Sequence, residues 1–99
     1  MYVIREVLNC RPGKVRPMVE KFRALSKALE ARGAEPLRLL TDVSGERFWT
    51  VVAEATVERV DDFFTLEEEL MADPDVREGM AGYHDLVDSG RREVYRIER

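Results

Sequence analysis

The chain has 99 residues, 44% of them apolar and 36% charged, with a net charge of −4, one cysteine and one histidine. That length suits a single domain over residues 1–99, and the lone Cys10 excludes an internal disulfide, just as one His with one Cys excludes a zinc site closed within the chain. No apolar run is long enough to cross a bilayer, and Arg5 and Glu6 interrupt the N-terminus before a signal-peptide core forms, so a cytoplasmic protein with no membrane partner is expected.

Residues 2–9 are rich in strand formers and place Tyr2, Ile4, Glu6 and Leu8 on one side and Val3, Arg5, Val7 and Asn9 on the other. Both sides are half apolar, so the pattern leaves open which of them is covered. Arg11-Pro12-Gly13-Lys14 ends the strand, and from Val15 the spacing of Met18, Val19, Phe22, Leu25, Ser26 and Leu29 predicts a helix closed by Gly33. Pro17 is tolerated in the first turn, where its missing N–H has no intrahelical partner to lose.

Leu37–Val43 and Arg47–Ala55 read as two strands around the turn Ser44-Gly45-Glu46. Leu37, Leu39, Thr41 and Val43 on the first, with Trp49, Val51, Ala53 and Ala55 on the second, are the faces expected under the helices. Thr56 reads as the N-cap of a second helix whose apolar side carries Val60, Phe63, Phe64, Leu70 and Met71. Asp73-Pro74 restarts a shorter helix with Val76, Met80, Tyr83 and Val87, weakened by Gly79 and Gly82 by ~1 kcal/mol each relative to alanine. Residues 91–98 return as the last strand, with Val94 and Arg96 opposite Tyr95 and Ile97.

This β-α-β-β-α-β order defines an α+β, ferredoxin-like sandwich: an antiparallel four-stranded sheet with helices on one face. The uncovered face is expected to show Arg38, Thr50, Glu54 and Arg96, together with Arg5 and Asn9, among Val3, Val7, Leu40, Phe48, Val52 and Val94. So apolar a face calls for a second sheet closing over it around a polar cavity. Residues 1–50 hold 10 Lys/Arg against 6 Asp/Glu and residues 51–99 hold 6 against 14, which reads as complementary charge between neighbouring helices. No aromatic residue interleaves the basic ones of the first helix except the core-facing Phe22, so no nucleic-acid partner is expected.

Motifs that would carry chemistry are sparse. There is no P-loop or dinucleotide fingerprint, and Gly79-Met80-Ala81-Gly82 lacks the basic context of a nucleic-acid clamp. Neither a metal nor a cofactor is expected. His84, beside Asp85 and one turn from Asp88, is the one weak catalytic candidate, a proton acceptor without a visible nucleophile to activate. Trp49 reads more simply as core than as a stacking platform. Glu67 lies, at ~100° per residue, between Phe63, Leu70 and Val60, inside the apolar stripe of its helix. Such a carboxylate either snorkels at the edge or points into the helix–sheet cleft, where meeting Glu6 raises its pKa and meeting Arg5 lowers it.

The strand leading to Arg11-Pro12-Gly13-Lys14, the break Glu69-Leu70-Met71-Ala72-Asp73-Pro74, and Ser89-Gly90-Arg91-Arg92 running into Val94-Tyr95-Arg96-Ile97 resemble the dimeric α/β-barrel superfamily. Within it the chain is similar to small bacterial NIPSNAP-type proteins. The resemblance implies a homodimer in which two four-stranded sheets face each other, and no settled activity. The superfamily also includes cofactor-independent monooxygenases of the antibiotic-biosynthesis type and haem-degrading enzymes that use an Asn, a Trp and a His. Asn9, Trp49 and His84 match those three by type and order, although the Trp-to-His spacing here is much longer. The expected function is a homodimer that binds a small organic molecule, anionic or polar-headed, through Arg5, Asn9, Arg38, Trp49, Glu67 and Arg96. The alternative is a cofactor-independent monooxygenase with His84 as its base.

Overall fold

The computed structural model describes all 99 residues. In chain order the elements are β1 (Tyr2–Cys10), α1 (Val15–Ala31), β2 (Arg38–Thr41), β3 (Thr50–Val57), α2 (Val60–Met71), α3 (Pro74–Met80), a 3-10 turn (Tyr83–Leu86) and β4 (Val87–Arg96). The strands form one antiparallel sheet in the order β2-β3-β1-β4, so β1 and β3 are central and the first and last strands of the chain are neighbours. This is the ferredoxin-like arrangement. No helix is long and apolar enough to cross a membrane.

Register resolves the ambiguity of β1. Ile4, Glu6 and Leu8 pair with Ala55, Ala53 and Val51 of β3 and with Val94, Arg92 and Gly90 of β4. Paired residues share a face, and this is the face that α1 covers: Met18 and Val51 are fully buried, packed with Phe22, Val19, Cys10 and Ala53. The buried residues of α1 are Met18, Val19, Phe22, Ser26 and Leu29, the stripe its spacing predicts. Ser26 is the polar member, and its hydroxyl accepts the Leu37 N–H at 2.9 Å, tying the entry of β2 to the helix. After α1, Gly33 takes a φ of +86°, a conformation in which a side chain would be strained.

Several expected boundaries move, each for a local reason. Residues 42–49 form a loop rather than strand ends, because Asp42 accepts the Thr50 N–H at 2.8 Å and Thr50 donates to the Arg47 carbonyl at 3.0 Å. That loop carries Trp49 at a φ of +61°, 44% exposed, so Trp49 is not core. Thr56 continues β3 and pairs with Val3 instead of capping a helix. The cap lies at Arg59, with Asp61 and Asp62 in the first turn opposite the helix dipole. Asp73 does cap α3, accepting the Asp75 N–H at 2.9 Å. That helix stops at Met80, since Gly82 is left-handed at φ +82°, and Tyr83 falls in the 3-10 turn. β4 begins at Val87, four residues before Arg91, through a register shift between Asn9 and Cys10.

The phase of β4 is also reversed from expectation. Val94 and Arg96 lie on the helix side, paired with Ile4 and Tyr2, and the open face receives Arg91, Glu93 and Tyr95. Both sides of this edge strand carry charged and apolar residues, so alternation held no phase information.

Candidate functional site

The principal cavity lies between the sheet and the helices, with a volume of about 350 Å³ and 13 of its 16 lining residues hydrophobic. β1 and β3 provide the floor through Ile4, Leu8 and Ala53, α1 one wall through Phe22 and Leu25, and Phe63 and Met80 further cover. α2 and the sheet add its only charged groups, Glu6, Glu67 and Arg92.

These three form one unit. Glu6 and Arg92 face each other across β1 and β4, and the guanidinium Nε donates to Glu6 Oε1. Its Nη2 donates to Glu67 Oε2 at 2.5 Å. The guanidinium carbon also sits 5.3 Å and 5.9 Å from the ring centres of Phe64 and Phe63, within cation–π range. Burial pushes the Glu6 carboxyl above its ordinary value; Arg92 opposes that shift and the charge of Glu67 adds to it. A carboxyl so placed is a weaker acid and a better proton acceptor than one in water.

Glu67 therefore does point to the cleft, and it finds Glu6 through Arg92 rather than Arg5. Arg5 lies on the other face of β1. Its Nε is 2.9 Å from Glu54 Oε2 and its Nη1 is 3.7 Å from Glu93 Oε1, while Arg38 donates to Glu54 Oε1 at 2.8 Å and Arg91 to Glu93 Oε2 at 2.8 Å. Arg38, Glu54, Arg5 and Glu93 are successive register partners, so a row of alternating charge crosses all four strands. Arg91, hydrogen-bonded to Glu93, holds that carboxyl below its ordinary value.

A second, polar cavity of about 320 Å³ lies on this open face under the 42–49 loop, and Arg5, Asn9, Arg47 and Arg91 are among its lining. Asn9 is buried there, with its amide donating to Ser89 at 3.0 Å. Arg38 does not reach it. Arg96, expected on this face, is on the other, its guanidinium 6.0 Å from the centre of the Tyr2 ring.

His84 is exposed, its ring 4.0 Å from that of Tyr83; Tyr83 lines the helix-side cavity and His84 lines none of the four main cavities. Asn9, Trp49 and His84 thus share no cavity, and they do not assemble a haem site. Arg92 escaped the sequence reading, and a consistent β4 phase, set by pairing Val94 with Ile4, is the signal that finds it. No group of three or more His, Cys, Asp or Glu is placed to hold a metal ion.

No protein-family model and no curated protein matches the sequence. Solved structures do match the fold. A NIPSNAP family protein of unknown function from Agrobacterium tumefaciens superimposes with a TM-score of 0.82 at 15% identity, covering 100% of this chain and 89% of that one. An uncharacterised NIPSNAP domain protein from Burkholderia xenovorans gives 0.80 at 18%, over 99% and 95%. A putative antibiotic biosynthesis monooxygenase from Deinococcus radiodurans gives 0.71 at 12%, over 100% and 94%. The chain shares the ferredoxin-like fold of these proteins.

Proposed function

We propose that the protein is a homodimer that binds a small, mainly apolar organic molecule in the cavity between its helices and its sheet. The observation that carries this reading is the cavity: an apolar space of about 350 Å³ with its charged groups gathered in one cluster, the composition of small-molecule sites. The homodimer part is supported by the open sheet face, where Leu40 and Tyr95 are 38% and 52% exposed beside Val3 and Val52. A second sheet packed there would cover them.

Scanning calorimetry with octanol, a neutral apolar probe, tests the binding. Occupation of the native cavity raises Tm with ligand concentration, and Ala55→Phe, which fills the cavity from its floor, removes the rise while leaving circular dichroism unchanged. No rise in the parent protein, with isoprenoid and aromatic probes equally silent, would leave a purely structural dimer.

A catalytic reading, cofactor-independent oxygenation of a phenolic or enolic substrate, is favoured by one observation: a carboxyl, Glu6, shifted upward by burial inside an apolar cavity. Its base is then Glu6 and not the exposed His84. Oxygen uptake with an activated phenol, lost in Glu6→Gln and kept in His84→Ala, is the expected result.

A further inference from the structure

The cavity's charged cluster is unbalanced. Two carboxylates, Glu6 and Glu67, share one guanidinium, Arg92, and no other charged side chain lines the space. Arg92 spends Nε on one carboxylate and Nη2 on the other, so its charge and its Nε/Nη2 edge are engaged by the two glutamates. Each carboxylate uses one oxygen in that contact, and Glu6 Oε2 and Glu67 Oε1 have no hydrogen-bond partner in the chain. The cluster thus offers acceptors and one uncompensated negative charge to whatever enters. Phe63 and Phe64, whose faces already attract the Arg92 cation, extend the negative potential beside it.

We infer that the ligand of this cavity is an organic amine, an apolar body ending in a protonated nitrogen that Glu6 and Glu67 receive. A protonated amine supplies the missing positive charge and offers donors to both free oxygens, which the chain leaves to solvent. A carboxylate head meets net negative charge and an arginine already engaged, and a hydroxyl supplies one donor and no charge. This identification rests on the proposed binding role of the same cavity and reverses the anionic ligand expected from the sequence: of the three arginines behind that expectation, Arg5 and Arg38 are paired with Glu54 on the far side of the sheet, and Arg96 stands beside Tyr2 and does not line the cavity.

The test is a calorimetric titration of the folded protein with three probes that share one apolar body: octylamine, octanol and octanoate. Octylamine binds at least about tenfold tighter than octanol, a difference of about 1.4 kcal/mol, and octanoate binds weakest. Glu67→Gln brings octylamine down to the level of octanol, whereas Glu68→Gln, an exposed neighbour outside the cavity, leaves the order intact. Octanoate equal to or tighter than octylamine, or three equal affinities, would overturn the amine and leave the apolar cavity reading standing. Three silent titrations would overturn both.

Discussion

Arg5 on β1 and Glu54 on β3 are register partners, and the glutamate, 14% exposed, sits between that arginine and Arg38 of β2. The Arg5 Nε–H lies 2.9 Å from Glu54 Oε2 but does not point along a hydrogen bond to it, so the contact is an ion pair. Glu54→Ala leaves two like charges side by side on a sheet face. Removing one partner of a buried pair is strongly destabilising; with Arg5 about a third exposed, solvent screens part of the effect, and a loss of about 2 kcal/mol by urea denaturation is expected. A loss below about 0.5 kcal/mol would show that water already neutralises the row.

The proposed dimer, joined through the open face, would bury Leu40 and Tyr95. Light scattering at micromolar concentration should give twice the chain mass. Leu40→Asp combined with Tyr95→Asp should give the single-chain mass with unchanged helix content, since neither side chain belongs to the buried core. A single-chain mass for the parent protein removes the dimer.

The raised Glu6 carboxyl fixes a sign for pH dependence. The folded state holds this proton more tightly than the unfolded chain, so the stability contributed is full below the ordinary value of 4.5 and is lost as pH rises through the higher folded-state value. Glu6→Gln, a permanent neutral mimic, should therefore gain on the parent protein in Tm as pH goes from about 4 to about 7. A parent protein that gains on the variant over that range would mean that Arg92 outweighs burial.

Gly90 of β4 packs against Leu8, and a Cβ there would stand 2.7 Å from Leu8 Cδ2. The atom it meets is the end of a flexible side chain that also lines the helix-side cavity. Gly90→Ala should cost about 1 kcal/mol by forcing Leu8 aside, and should weaken octanol binding in the calorimetric assay. Leu8→Ala in the same chain should restore the binding, the coupling expected of residues in contact.

The sequence made the element order and the α1 stripe legible because each rests on a helical period of several turns or on a turn signal, and it singled out Glu67 while leaving its direction open. It left β4 out of phase because Arg91, Arg92 and Glu93 place charge on both faces of an edge strand, where neither face is deeply buried. One residue of phase error put Arg92 and Arg96 together on the open face, away from the helix-side cavity that Arg92 lines. Trp49 was misplaced for a different reason: its positive φ ends strand alternation just before Thr50, and no propensity marks a tryptophan for that conformation.

That tryptophan is the only one in the chain, and it stands on the 42–49 loop, outside the helix-side cavity. Its emission is therefore a local signal: it follows the loop and its surroundings, and is poorly placed to follow the packing of α1 or the filling of the cavity. A fluorescence melt of this protein can precede the loss of its helices, and a ligand seated among Phe63, Tyr83 and Arg92 can leave the indole spectrum untouched.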